Sequence, residues 1–220
     1  MPQYTEAMTV DAPAADCALC PRLAEYRAAN RAENPDWFNA PVPSFGSLQA
    51  PMLIVGMAPG VRGANRTGRP FTGDYAGVLL YETLLKYGFA TAPHGYGADP
   101  QDGLVLVNAR IANAVRCVPP ANLPVPAEVA TCNRFLVAEF GAMPNLRAVL
   151  SLGVLAHAAV LRANGLPQTK LRFRHGATHT LPDGLKLVNS YHVSRYNTST
   201  KRLTTAMFES VVAELAESLK

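Results

Sequence analysis

Four stretches of this 220-residue chain carry side chains in spacings that chemistry uses. Cys17-Ala18-Leu19-Cys20 is a C-x2-C pair, and with Cys117 and Cys132 all four cysteines of the chain could meet at one centre. A structural disulfide is not expected in a reducing compartment, which leaves zinc, an iron-sulfur cluster or ordinary buried thiols, and spacing alone does not separate these. Gly56-Met57-Ala58-Pro59-Gly60 opens a second stretch that Gly68-Arg69-Pro70-Phe71-Thr72-Gly73-Asp74 closes; its glycines permit close backbone approach and turn amides toward an anion. Neither a Walker signature nor G-x-G-x-x-G is present, which argues against ordinary nucleotide and dinucleotide binding. Asp74 has a plainer role as a helix cap, and Phe71 as a core side chain. Asn113 carries an amide, the group that offers donor and acceptor together to a base edge, or else stabilises a turn. His192, in Ser190-Tyr191-His192-Val193-Ser194-Arg195-Tyr196-Asn197, can meet charge developing on a leaving group, although a lone histidine is more often structural. His94, His157, His175 and His179 form no metal-ligand spacing.

These stretches need a scaffold, and the hydrophobic pattern supplies one. Met52–Gly56, Leu104–Asn108, Ala148–Leu152 and Lys186–Asn189 read as buried strands. Leu23–Glu33, Ala76–Tyr87, Glu128–Phe140, Val154–Asn164 and Thr204–Leu219 read as helices. Alternating strands and helices imply a mostly parallel sheet covered on both faces, with ligands at the carboxyl ends of its strands. Gly56–Gly73, Asn108–Asn113 and Tyr191–Asn197 are expected there. The first fifty residues have little periodicity and are expected to wrap the domain, tied down by the Cys17/Cys20 pair. No repeat or hinge-like linker interrupts the chain, so one domain over residues 1–220 is expected.

Composition narrows the classes further. Apolar residues make up 49% and charged residues 16%, which excludes a disordered segment or a long coiled coil. No apolar run approaches the length of a membrane span. Met1–Glu6 has no basic region leading into an apolar run, so a cytoplasmic protein without a secretory signal is expected. The net charge of +4 says little, but its distribution says more. Arg162, Lys170, Arg172, Arg174, Lys186, Arg195, Lys201 and Arg202 face a single acidic residue, Asp183, between Val160 and Thr204, a candidate phosphate-facing surface.

Together these segments resemble the uracil-DNA glycosylase superfamily, and most closely its iron-sulfur-containing family 5, the type b enzymes. The likeness rests on the C-x2-C pair, Gly56-Met57-Ala58-Pro59, Asn65-Arg66-Thr67-Gly68-Arg69-Pro70-Phe71-Thr72-Gly73-Asp74, Asn113-Ala114-Val115-Arg116-Cys117-Val118-Pro119-Pro120, Cys132, and His192 through Arg202-Leu203-Thr204. Their order and spacing carry it over nearly the whole chain. The resemblance implies a three-layer α/β/α fold with a central four-stranded parallel sheet. It implies that Cys17, Cys20, Cys117 and Cys132 hold a structural [4Fe-4S] cluster. It implies a monomer that flips uracil, or another deaminated base such as hypoxanthine, out of double- or single-stranded DNA and hydrolyses its N-glycosidic bond. An abasic site is left for base excision repair.

Carried over by position, Gly56, Met57 and Ala58 line the substrate pocket, Phe71 stacks on the flipped base and Asn113 reads its pairing edge. His192 stabilises the departing base, Asp74 orients water or supports the positively charged sugar, and Arg195 or Tyr196 fills the gap in the helix. Three positions depart from the superfamily pattern. Met57 stands where other members carry an acidic or amide side chain, Gly60 where family 5 usually has alanine, and Val193 where the usual motif has proline. Three rivals remain: a stricter family 4 enzyme, against which Met57 counts; a protein that binds deaminated or abasic DNA without cutting it, against which Asp74 counts; and an iron-sulfur protein without a nucleic-acid role, against which the basic face counts.

Overall fold

Apolar runs ended by glycine or asparagine become fully buried strands in the computed structural model, which describes residues 10–92 and 101–220. Met1–Glu6 and His94 lie outside the described residues. In chain order the elements are α1 (Pro21–Glu33), β1 (Phe45–Gly46), β2 (Met52–Gly56), α2 (Ala64–Thr67), α3 (Tyr75–Lys86), β3 (Ala90–Thr91), β4 (Val105–Leu106), β5 (Ala109–Asn113), α4 (Pro126–Ala142), β6 (Ala148–Leu152), α5 (Val154–Ala163), β7 (Thr178–Thr180), β8 (Lys186–Ser190), α6 (Arg195–Ser199) and α7 (Thr205–Leu219). Helix starts follow local chemistry. The Asp74 side chain accepts from the Ala76 amide to cap α3, and Thr204 accepts from Met207 to cap α7. Pro126 opens α4, where a missing amide costs nothing.

The main sheet runs β1-β5-β2-β6-β8-β7. Its inner four strands are parallel, as expected, but the sheet has six strands and is mixed: β1 and β7 pair antiparallel at its two edges. These edges are two and three residues long and carry no apolar run, since Thr178-His179-Thr180 is polar at every position. Within the core, alternation sorts the side chains by face. Met52, Ile54, Ile111 and Leu150 pack under α3 and α7, whereas Leu53, Val55, Ala112 and Val149 pack under α4 and α5, giving three layers.

One strand lies elsewhere than expected. Val105 and Leu106, within the expected Leu104–Asn108 strand, pair instead with β3 in a separate two-stranded ribbon, and the core strand is Ala109–Asn113. Arg110 conceals it, because a charge in the middle of a core strand breaks the apolar run. That charge is buried against Glu139 on α4, 2.7 Å away, and the guanidinium also donates to the Gly46 carbonyl. Glu139 is shared with Arg116 at 2.9 Å and with Ser44, so a buried network ties β5, α4 and the N-terminal segment. Two opposing guanidinium groups hold its carboxyl below the usual range against the desolvation of burial. Among the described residues, no helix is long and apolar enough to cross a membrane.

Candidate active site

The strand order β5-β2-β6-β8 reverses direction of growth at β2, and the carboxyl ends on either side of such a reversal open a crevice. A pocket of about 470 Å³ occupies it, bounded by Met57, Ala58 and Gly60 after β2, Gly153 after β6, and His192 and Arg195 after β8. Behind it lies a recess of about 30 Å³, walled by Pro59, Phe71 and Asn113. The two share Ala58, Gly60, Asp74, Ala76 and His192.

Register places the recess. Gly56 and Asn113, the last residues of β2 and β5, are partners, and the pairing continues past the strands as Ala114 and Val115 donate to the carbonyls of Gly56 and Met57. A Cβ on Gly56 would lie 2.3 Å from Asn113 Oδ1 and 2.7 Å from Phe71 Cζ, so only glycine lets the amide and the ring meet there. Gly56→Ala is accordingly expected to displace both side chains. It should cost about 1–3 kcal/mol by overpacking, read by urea unfolding, and lower activity more than stability predicts. Asn113 Oδ1 is buried and has no hydrogen-bond partner among the described residues. An orphaned acceptor of this kind costs about 1–3 kcal/mol unless a ligand donates to it.

Phe71 combines core and platform. Its ring joins the α3/α7 side of the core and lines the recess, with its centroid 6.0 Å from that of His192. Its backbone is left-handed, φ 55°, an uncommon conformation for a bulky residue. Neighbours enforce it. Arg69 is buried in a two-pronged pair with Asp102 at 2.8 and 2.7 Å, and Tyr81 Oη donates to the Pro70 carbonyl at 2.6 Å. Helix α3 also comes so close that a Cβ on Gly77 would lie 1.9 Å from the Phe71 carbonyl oxygen. Strain of this size persists where the surroundings over-determine it, and such places cluster at functional sites.

Asp74 divides its carboxylate between two tasks. Oδ1 accepts from the Ala76 amide at 3.1 Å as the cap of α3, while Oδ2 turns toward Gly60 and Gly63, where added Cβ atoms would approach it to 2.9 and 2.2 Å. The residue is exposed at the rim, yet its carboxylate reaches into the crevice, where loss of solvent raises its pKa against the two backbone amides that lower it. His192 is pushed down to about 4 by desolvation, so its imidazole is neutral near pH 7 and can donate a hydrogen bond without carrying charge. The loop bearing it is anchored by Val193, fully buried in the core, and by Asn197 Nδ2, which donates to the His192 carbonyl at 2.8 Å.

Asp74, Asn113, His192, Phe71, Met57 and Ala58 therefore converge, with Gly56 beneath them. Arg195 lines the pocket with its guanidinium 6.0 Å from the Tyr75 ring centroid, while Tyr196 is 70% exposed outside the lining. All eight basic residues of the last third are exposed, but only Arg195 and Arg202 line this pocket. Lys186 begins β8 at the opposite end of the sheet. Sequence reasoning missed Phe173 and Asn122 in the lining. The interleaved Leu171-Arg172-Phe173-Arg174-His175 was the visible signal for the first; nothing marked the second beyond an asparagine in a proline-rich turn.

The four cysteines surround a separate small void walled also by Leu23, Val115 and Phe135. Burial raises the Cys20, Cys117 and Cys132 thiols, the last to about 11, with Arg27 opposing the shift at Cys117. The buried Arg27 donates to Cys117 Sγ at 3.2 Å, and the Arg116 amide to Cys132 Sγ at 3.4 Å. An all-thiol donor set in an apolar shell, with donors already aimed at its sulfurs, fits a sulfur-ligated metal group. Among the described residues, no three His, Cys, Asp or Glu side chains are placed to hold a single metal ion.

Comparison with known proteins gives a consistent picture. Residues 43–216 match the model of the uracil DNA glycosylase superfamily. The chain is 45% identical over 205 residues to a type-5 uracil-DNA glycosylase of Thermus thermophilus, covering 90% of this chain and 91% of that protein. It is 42% identical over 204 residues to one of Mycobacterium leprae, covering 89% and 88%. A type-4 uracil-DNA glycosylase of Thermotoga maritima is 31% identical over 150 residues, covering 68% and 67%.

Proposed function

The chain belongs to the uracil-DNA glycosylase superfamily, among its type-5 members, and from that premise we propose that it hydrolyses the N-glycosidic bond of uracil in DNA and leaves an abasic site for base excision repair. The observation that carries this is the recess itself. An orphaned buried amide oxygen, an aromatic ring, a neutral imidazole and a carboxylate with one free oxygen face a space open to the crevice. A base must leave the stack to enter it, which favours bases whose pairing is already weakened.

Each group has a task in this reading. Asn113 Oδ1 accepts from the ring N–H of uracil, and Phe71 stacks on its face. As the bond between C1′ and the base nitrogen breaks, the electron pair leaves with the base and positive charge stays on the sugar. His192, as a neutral imidazole, donates its ring N–H to the oxygen on which the departing base gathers negative charge. The Asp74 oxygen not used in capping supports the sugar cation and receives the proton of the water that attacks C1′. Met57 offers no acid or base, so that work falls to Asp74. Hypoxanthine is proposed as a second substrate, and Arg195 and Tyr196 as the residues beside the gap in the duplex.

Cys17, Cys20, Cys117 and Cys132 would hold a [4Fe-4S] cluster, which supplies a structural crosslink when bound and no step of the hydrolysis. The type-5 relatives match at higher identity and over more of the chain than the type-4 relative, which supports this reading over the family 4 alternative.

The test is strand scission by alkali of a labelled duplex bearing one uracil opposite guanine. Uracil-dependent cleavage is expected; none, with the protein still bound, would favour the non-catalytic binder. Its pH dependence is expected to have an acid limb whose midpoint lies above about 3.9, the ordinary aspartate value. Burial raises the pKa of Asp74, so its reactive carboxylate is lost on acidification at a higher pH than an exposed aspartate would lose it. A rate that stays flat down to pH 4 would remove Asp74 from this role.

A further inference from the structure

The pocket extends well past the recess, and its far wall is unlike its near one. Phe173, Tyr191, Leu155 and Arg202 line that wall, away from Asn113 and Phe71. The rings of Phe173 and Tyr191 lie 6.1 Å apart, and the Arg202 guanidinium sits 4.8 Å from the Tyr191 centroid. His175 braces Tyr191 in a parallel stack at 5.1 Å. None of these five side chains is fully buried, so the stack stands at the rim of the crevice. Val154, on the same lining, is 60% exposed.

We propose that this outer chamber is a second nucleobase subsite, which stacks the base adjacent to the flipped nucleotide on the same DNA strand. The inference rests on the glycosylase reading of the recess and adds the substrate form that the enzyme prefers. Three observations carry it. Asp74 and His192 border both spaces, so a nucleotide whose base edge reaches the recess has its sugar beside them, and the next nucleotide falls into the chamber. The chamber walls are aromatic and aliphatic, which suits the face of a base and not a bare phosphate. Arg195 and Arg202, both exposed and lining the pocket, supply positive charge for the phosphates of a strand that enters it. A neighbouring base can occupy this subsite only after it too leaves the duplex stack. Single-stranded or locally melted DNA is therefore the preferred substrate.

The test uses single-stranded oligonucleotides containing one deoxyuridine, with an abasic analogue replacing the base on its 5′ or its 3′ side. Loss of one neighbouring base is expected to raise KM about tenfold, the effect of one stacked base, while the release rate at saturation is unchanged. In Phe173→Ala the same replacement should no longer matter. Equal KM values for all three oligonucleotides, or the same tenfold loss in wild type and Phe173→Ala, would overturn the proposal and leave the chamber a sugar-phosphate channel. A second readout does not depend on catalysis. 2-Aminopurine at the neighbouring position should lose fluorescence on binding wild-type protein and retain it with Phe173→Ala. Quenching without uracil release would keep the subsite and sink the glycosylase reading; release without quenching would do the reverse.

Discussion

Asp74→Asn is expected to slow uracil release about 10²- to 10⁴-fold while binding a uracil duplex within a fewfold of wild type. The substitution separates two roles that the same side chain holds. Asparagine is as good an N-cap as aspartate, so its oxygen still accepts from the Ala76 amide and α3 keeps its start. The negative charge facing Gly60 and Gly63 is lost. Asp74→Ala removes both, adding about 0.5–2 kcal/mol of destabilisation to the same kinetic defect. Single-turnover release, set beside thermal unfolding, distinguishes them. Near-normal release by Asp74→Asn would show that the carboxylate serves only the helix.

The second large effect concerns the thiols. Cys117→Ala is expected to yield colourless protein without iron and with a Tm lower by about 10–20 °C, the equivalent of about 5 kcal/mol for a chain of this size. Binding energy of a group that only the folded state assembles is folding energy. Here the crosslink would join α1's leading segment, the turn after β5 and helix α4, adding to Arg22–Glu128 at 2.7 Å, Arg116–Glu139 at 2.9 Å and the small cluster around Leu23 and Phe135. Iron analysis and the visible spectrum provide the check. Full iron occupancy in Cys117→Ala would show that the thiols serve another purpose.

What the amino-acid order revealed of this fold depended on whether charge interrupts hydrophobicity. Met52–Gly56 is an unbroken apolar run and Ala148–Leu152 is broken only by the small Ser151, and both are legible as core strands. Ala109–Asn113 is not, because the salt bridge that neutralises Arg110 is with Glu139, 29 positions away, and no local pattern announces a distant partner. The edge strands β1 and β7 escape for the opposite reason: they are short and half exposed, and only the neighbour they pair with defines them. The candidate site divides in the same way. Asp74, Asn113 and His192 stand in motifs whose spacing is readable. The left-handed turn at Phe71, the glycine cradle for Asp74 and the Phe173–Tyr191 wall arise from how the chain folds back on itself, which no run of hydrophobicity or motif spacing displays.

Gly77 illustrates where such hidden dependence leads. It lies inside α3, touches no expected substrate and would be taken from local propensity as a weak point that alanine should improve. Because the Phe71 carbonyl occupies the space where its side chain would begin, a saturation scan of this chain should score position 77 as intolerant as the pocket itself. An attempt to stabilise the enzyme by replacing helical glycines would disable it there first. Position 141, a glycine in α4 with open space around it, is the one such an engineer should choose.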